Sequence, residues 1–343
     1  MFLRAKHTVP FLFLFLLLCL CFLLNIGLGS VDIPFSDILK SIFSAETQDG
    51  NTAYIVRNYR LPKAFTAILV GAGLSLSGLL MQTLFRNPLA GPFVLGISSG
   101  ASLGAAILLM GGALLGGAVA TFFSGDIALT LAASLGSFLV LAVVVYVASK
   151  VRDTLALLII GLMFGSLTAA LVSILSYFAD SEELQRFIFW TFGSVGNLSW
   201  SQVGILGICV IVGVLISIGL TKTLNSFLLG EQYAISLGVS IARSRFWIII
   251  ATGILAGAVT AFAGPIAFIG LAVPHLCRQL FGSTDHRILL PAVLLYGPIL
   301  LLLCDTVAQM PSSAYVLPIN AITSLVGAPI VIWLLVRKRK MIF

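Results

Sequence analysis

The sequence predicts an all-α membrane protein in which about ten helices cross the bilayer. Of its 343 residues, 59% are hydrophobic and only 9% are charged, and the mean hydropathy is +1.14. Soluble domains contain about 25% charged residues. The apolar stretches are continuous and approach the ~20 residues that a transmembrane helix needs, whereas a membrane β-barrel would show short segments of alternating polarity.

Ten apolar segments, separated by charged or helix-breaking residues, are predicted as the membrane helices. They cover approximately 9–29, 62–82, 92–110, 127–148, 154–178, 201–220, 244–262, 267–280, 289–308 and 316–336. The first could be mistaken for a secretory signal, but no clear A-x-A cleavage site follows it, so we expect an uncleaved helix. The whole chain, 1–343, is expected to form one transmembrane domain with an external segment at about 30–61 and a cytoplasmic loop at about 221–243.

The basic residues predict the orientation. With both termini in the cytoplasm, 14 of the 19 lysines and arginines fall inside and 5 fall outside. This asymmetry follows the positive-inside rule, and it explains the net charge of +7 without a nucleic-acid partner. The Arg337–Lys340 run is interpreted as a stop at the cytoplasmic face.

The sequence excludes several kinds of chemistry. It contains no G-x-x-x-x-G-K-[ST] loop and no H-E-x-x-H, and its five cysteines have no metal-site spacing. We therefore expect no enzymatic activity, metal or cofactor in this chain. The only carboxylate inside a predicted span is Asp305, which reads either as a capped interfacial residue or as a coupling or substrate site. So few intramembrane charges favour an ATP-driven transporter over an ion-coupled carrier, and an export channel or scaffold is a third possibility.

The stretch QTLFRNPLAGPFVLGISSGA, residues 82–101, interrupts two apolar helices. Pro88 is expected to end the second helix and Pro92 to start the third at its first turn. Gly96 and Gly100 are four residues apart and predict a smooth face for close helix packing. Ala90-Gly91-Pro92 recurs as Ala263-Gly264-Pro265 five helices later, which suggests an inverted repeat of five plus five helices.

Several motifs together resemble the FecCD family of permeases. They are Arg60-Leu61-Pro62-Lys63, LVGAGLSLSG (69–78), Gln82, Arg86-Asn87-Pro88-Leu89-Ala90, LGISSGA (95–101), GPIAFIGLAVPH (264–275), Asp285-His286-Arg287, Leu289-Leu290-Pro291 and Gly327-Ala328-Pro329. These motifs extend over nearly the whole chain.

The resemblance implies a permease of a type II ABC importer in the bacterial inner membrane. It implies a homodimer, or a pair with a paralogous permease, two ATPase subunits that carry ATP and Mg, and a substrate-binding protein outside. The cargo would be an iron(III)-siderophore or similar metal chelate, with haem and cobalamin as alternatives.

The resemblance also implies roles for residues at the two membrane surfaces. Arg60 and Lys63, with Arg57 nearby, would face outward and pair with acidic residues of the binding protein; the alternative is interfacial snorkelling. A second docking position departs from the family pattern, because Gln309 and Val316 replace an arginine and a glutamate.

On the cytoplasmic side, the resemblance makes 221–243 an ATPase coupling loop of two short helices hinged at glycines. Its candidate residues are Gly230, Glu231, Gly238 and Arg243, and the alternative is a simple connector. The candidates for pathway lining come from the fifth and tenth helices. They are Ser166, Thr168, Ser173, Ser176, Asn320 and Thr323, although small hydroxyl residues also serve helix packing.

Overall fold

The computed structural model describes residues 3–29, 31–43, 51–111, 126–151, 153–310 and 315–336. Every regular element in these ranges is helical. The helices are α1 Leu3–Gly27, α2 Phe35–Phe43, α3 Asn51–Ile55, α4 Leu61–Phe85, α5 Ile97–Met110, α6 Asp126–Lys150, α7 Thr154–Phe178, α8 Ser181–Thr191, α9 Trp200–Gly219, α10 Thr221–Leu228, α11 Glu231–Ser236, α12 Ile241–Ala263, α13 Ile269–Phe281, α14 His286–Ala308 and α15 Ile319–Val336. Arg152 and the Arg337–Lys340 run lie outside the described residues.

Each of the ten predicted spans coincides with one apolar helix, so the predicted fold class is confirmed. Within the described ranges, seven helices are long and apolar enough to cross a membrane: α1, α4, α6, α7, α9, α12 and α14. The helices α5, α13 and α15 occupy the remaining predicted positions but are shorter. The chain is therefore a multi-pass membrane protein.

The helix α4 lies at the centre of the bundle, and almost every residue from Thr66 to Phe85 is buried. It packs against α9, α12, α13 and α14. Close approach depends on small residues, because a Cβ atom added at Gly78 would lie 1.8 Å from the Gly270 carbonyl oxygen of α13. A Cβ at Gly71 would lie 2.6 Å from the Gly297 carbonyl oxygen of α14. In lipid the hydrophobic effect does not drive helices together, so close packing depends on small residues that let the backbones approach.

The packing partners repeat between the two halves of the chain. The α4–α14 contact corresponds to α12–α6, and α5–α6 corresponds to α13–α14. In the same way, α5–α7 corresponds to α13–α15, and α4–α13 to α12–α5. This correspondence is what the predicted repeat of five plus five helices requires.

The turn at 82–101 differs from the prediction in one respect. The helix α4 ends before Pro88, as expected, but Pro92 opens only a 3₁₀ turn, Pro92–Leu95. The α-helix begins at Ile97, because Gly96 has a φ of 72° and breaks the run in the left-handed region that glycine adopts readily. Gly100 does serve close packing, since its Cβ would lie 2.6 Å from the Gly136 carbonyl oxygen of α6.

A matched pair of glycine substitutions tests the close packing of α4. Gly78→Ala is expected to lower the thermal midpoint of the detergent-solubilised protein, because overpacking costs about 1–3 kcal/mol. Gly204→Ala in α9 is the control, since nothing lies within 4 Å of its Cβ position. The control should be neutral or stabilising by at most about 1 kcal/mol, the helix propensity gain of alanine. Equal midpoints for the two variants would contradict the packing argument.

Candidate functional site

Two polar clusters lie at opposite ends of the helix bundle. The Asp305 cluster consists of Asn25, Lys63, Asp305 and Gln309, where α1 and α14 end and α4 begins. The His286 cluster consists of Gln82, Thr83, Asn225, Arg278, Asp285 and His286, where α4 ends and α14 begins.

The Asp305 cluster is a buried ion pair with two amide donors. Lys63 Nζ lies 3.2 Å from Asp305 Oδ1, and the side chains are 19% and 4% exposed. Asn25 Nδ2 donates to Asp305 Oδ2 at 2.8 Å, and Gln309 Nε2 donates to the same oxygen at 2.7 Å. The carboxylate is thus held by three partners. This arrangement favours the structural interpretation of Asp305 over an ion-coupling site.

Arg60 does not face outward as expected. It is only 8% exposed, and its guanidinium donates to the carbonyl oxygens of Ile26, Gly27 and Val31. Ile26 and Gly27 are the last residues of α1, where helix termini leave acceptors without intrahelical partners, and Val31 follows in the next turn of chain. Arg60 therefore ties the end of α1 to the start of α4. Arg57 is half-buried and donates through Nε to the Ser41 carbonyl oxygen at 2.7 Å.

A cavity of about 510 Å³ opens beside the Asp305 cluster. Arg60, Lys63 and Asp305 form its charged wall, and Asn197 and Gln309 contribute amides. Two arginine or lysine side chains against one aspartate leave the wall net positive. Exposed Tyr59 and Val316 stand at its rim, so Val316, where the family pattern has a glutamate, presents apolar surface here.

The His286 cluster connects four helices through buried hydrogen bonds. His286 is fully buried and contacts Thr83 Oγ1 and Asn225 Oδ1 through its two ring nitrogens, each at 2.8 Å. Arg278 donates to Gln82 Oε1 at 2.6 Å. Sequence reasoning listed Gln82 and His286 only as motif residues and assigned them no role. The structure shows that they join the end of α4 to α13, α14 and α10.

Asp285 caps α14 at this end. Its Oδ1 accepts hydrogen bonds from the backbone N–H of Arg287 at 2.9 Å and from Asn225 Nδ2 at 2.7 Å. Burial alone would raise the pKa of Asp285, but these donors and the charge of Arg287 hold it below its ordinary value. The carboxylate form is therefore the capping form at neutral pH.

The loop at 221–243 contains the two short helices expected of it, α10 and α11, with Gly230 between them at a φ of 104°. Gly238 follows α11 at a φ of 81°. Glu231 was predicted as a contact or hinge residue, but it pairs at 2.7 Å with the buried Arg245 of α12 and so anchors the loop. Arg243 is exposed.

Sequence reasoning missed the apolar surface of this loop. Four large apolar side chains on and beside α11 are between 52% and 62% exposed: Leu229, Tyr233, Ile235 and Leu237. Three of them are spaced four residues apart, which is the helical periodicity that could have revealed them. A second cavity, of about 770 Å³, lies between this loop and the end of α4, with Arg86, Asp153 and Glu231 in its wall. Contiguous apolar patches of this kind on a polar loop mark interaction surfaces.

The predicted pathway residues fall into different environments. Thr168 and Thr323 are buried and bond to carbonyl oxygens of their own helices, so they do not line a surface of this chain. Ser166 and Ser173 are exposed on α7, and Ser176 is half-buried. Asn320 instead links three segments: its N–H donates to the Phe192 carbonyl oxygen at 3.2 Å, and its Oδ1 accepts from the Ala267 N–H at 3.0 Å.

Comparisons with known proteins agree over nearly the whole chain. Residues 17–337 match the model of the FecCD transport family. The vitamin B12 import system permease protein BtuC of Salmonella typhi is 40% identical over 284 residues, which are 82% of this chain and 83% of that protein. BtuC of Klebsiella pneumoniae is 40% identical over 283 residues, 82% of each chain.

Solved structures share the fold. A candidate ABC transporter of the metal-chelate type, in an inward-facing conformation, superposes with a TM-score of 0.83 and 32% identity, over 97% of this chain and 100% of the other. PsaBC from Streptococcus pneumoniae, solved with an Fab, gives a TM-score of 0.50 at 13% identity, over 88% and 95% of the two chains. The second likeness concerns the fold alone.

The buried ion pair can be tested by removing one or both charges. Asp305→Ala is expected to destabilise the protein by about 3–5 kcal/mol, because it leaves the Lys63 ammonium largely buried without its partner. The double variant Lys63→Met with Asp305→Leu removes both charges and should be closer to the wild type. Thermal unfolding in detergent measures both. A double variant that loses as much stability as Asp305→Ala, or more, would refute the pairing.

Proposed function

Because the chain belongs to the FecCD transport family, we propose that it is the membrane-spanning permease of an ATP-driven importer for a bulky organic metal chelate. The observation that supports this most is the apolar surface formed by Leu229, Tyr233, Ile235 and Leu237, together with the cationic Arg243. The chain carries no nucleotide-binding loop of the G-x-x-x-x-G-K-[ST] type. An ATPase subunit seated on this surface would supply the energy.

The proposed orientation places the His286 cluster and the loop at 221–243 in the cytoplasm. Arg86, Arg243, Arg245, Arg278 and Arg287 gather at this end, which is the distribution that the positive-inside rule predicts for a cytoplasmic face. The bilayer would be a bacterial inner membrane, as the relatives are permeases of an import system.

At the opposite end, the cavity beside the Asp305 cluster is the proposed docking site for a substrate-binding protein. Its net positive wall would attract an acidic side chain, and charge complementarity mainly sets the encounter rate and the register. Because Arg60 is buried, it would attract the binding protein through the positive electric field of the cavity wall, without direct contact. Exposed Tyr59, at the rim, offers the kind of aromatic surface that anchors interfaces.

The proposed assembly pairs this permease with a second copy or with a paralogous permease. The helix α7 exposes Ser166 and Ser173 along a face that also carries Leu162, Met163 and Ile174. A second permease packed across such a face would enclose a weakly polar path between the subunits. Such a path would let a large chelate pass without tight binding.

Two cargo classes fit the proposal. Iron(III)-siderophores are the commonest cargo that the family resemblance implies, while the relatives quoted above are named as vitamin B12 permeases. The 39–40% identity to those relatives favours a corrinoid. Haem is a third possible cargo, and like a corrinoid it is a metal chelate of a tetrapyrrole macrocycle.

Substitution in the loop tests the ATPase surface. Leu237→Ser is expected to reduce co-purification of the ATPase subunit by about tenfold, since truncating an interface anchor costs about 1–2 kcal/mol. The control is Leu280→Ser in the last turn of α13, which is also exposed and lies at the same end of the bundle. Equal losses in both variants, or in neither, would argue against an ATPase interface on this loop.

Reconstitution tests the transport function. The permease, its ATPase and its binding protein are placed in proteoliposomes, and uptake of radiolabelled cyanocobalamin is compared with uptake of a ferric hydroxamate siderophore. We expect ATP-dependent uptake of one of the two, and omission of the binding protein should abolish it. Uptake that persists without the ATPase and follows an ion gradient would support a secondary carrier instead.

A further inference from the structure

A deep apolar groove runs between α6, α9 and α12. Its volume is about 480 Å³, and its walls are mostly aliphatic and aromatic, with Leu131, Phe138, Ile205 and Phe262 among them. A small residue on α6, Ser134, deepens it where a larger side chain would fill the space. The docking and coupling sites proposed above share no residue with this groove.

The repeat places a counterpart of the groove between α14, α1 and α4, and that counterpart is closed. The repeat relates α1 to α9, α14 to α6 and α4 to α12. The helix α1 packs along α14, whereas α9 packs along α12 and α4, and the groove separates α9 from α6. The helix α1 therefore fills one of the two equivalent positions, and the other position stays open.

The groove is longer than one leaflet's half of the hydrocarbon core but shorter than the whole core. Its wall on α6 extends from Ile127 to Leu141, which at a rise of 1.5 Å per residue is about 21 Å. Half of the ~30 Å hydrocarbon core is ~15 Å. The groove begins in the first turn of α6, near the end of the bundle that carries the Asp305 cluster, and its wall on α6 ends at Leu141, so acyl chains of the leaflet at that end can enter it.

A polar cavity caps the upper end of the groove. This cavity measures about 230 Å³ and shares Thr130, Gln202 and Phe262 with the groove. Its lining includes Trp190 and Arg186 of α8, and the exposed Arg186 guanidinium pairs with the equally exposed Glu182 carboxylate at 2.6 Å, a partner that a lipid phosphate could replace. Arginine and tryptophan at this depth are the side chains that contact lipid headgroups. Gly193 and Asn197 also line the cavity beside the Asp305 cluster, which fixes the end of the bundle at which the cap lies.

From these contacts we propose that the groove is a binding site for an anionic glycerophospholipid of the surrounding bilayer. One acyl chain occupies the groove between α6, α9 and α12, and the phosphate lies beside Arg186. The Arg186 cation complements the charge of the phosphate. The acyl chain exchanges its contacts with fluid lipid for contacts with the fixed wall of the groove.

Native mass spectrometry of the full-length protein tests the site. The protein is reconstituted into nanodiscs with equal amounts of phosphatidylethanolamine and phosphatidylglycerol and then released into mild detergent. We expect retained phosphatidylglycerol on the wild type. Ser134→Phe, which fills the groove, should abolish this retention. Leu135→Phe on the same helix points out of the groove and should leave retention unchanged.

The headgroup contact has its own pair of variants. Arg186→Gln should lower the preference for phosphatidylglycerol by about fivefold, the factor that about 1 kcal/mol per basic residue gives. Glu182→Gln removes the carboxylate that lies 2.6 Å from Arg186 Nη2 but keeps the cation, so the preference should persist or increase.

Two results would overturn the proposal. Equal retention in Ser134→Phe and Leu135→Phe would show that lipid does not occupy the groove. Retention lost in both variants, together with a change of oligomeric state, would show that a second copy of the chain covers this face. Neither readout depends on transport, so failure here leaves the proposed importer function unaffected.

Discussion

The close approach of α4 to α13 and α14 is the constraint on which the rest of the structure depends. Carbonyl oxygens of the neighbouring helices occupy the positions where side chains at Gly71 and Gly78 would begin. The helix α4 is consequently surrounded by other helices along most of its length. Its charged and amide side chains lie only near its two ends, and the buried Ser75 and Ser77 in its middle donate to carbonyl oxygens of their own helix, because an unpaired polar group inside such a bundle costs several kcal/mol.

Both polar clusters follow from this confinement. The helix α4 starts beside Lys63 and ends at Gln82 and Thr83, while the antiparallel α14 starts at His286 and ends beside Asp305. The Asp305 and His286 clusters are therefore opposite ends of one packed helix pair. Any tilt of that pair moves both clusters together. This geometry gives the proposed docking and coupling surfaces a common mechanical element, with contacts too close for the two helices to deform independently.

The apolar groove illustrates how a repeated fold acquires different surfaces. The two halves share most helix pairings. However, α1 occupies the space beside α14, whereas the equivalent space between α6 and α9 is open. In water such an exposed apolar groove would be unfavourable, but in a bilayer the acyl chains of the lipid contact it. The asymmetry thus converts a missing helix contact into a candidate lipid site.

The sequence by itself determined the approximate positions of the ten apolar helices, their all-α class and the family, because hydropathy and helix breakers act locally and the motifs extend over nearly the whole chain. It could not determine side-chain partners. Arg60 carries the charge expected of a docking residue, yet the end of α1 lies beside it and takes up its hydrogen-bond donors. The partly exposed Glu231 pairs with Arg245 for the same reason, and Thr168 and Thr323 are buried. These outcomes depend on which segments distant in the chain come together, and only the tertiary structure decides that.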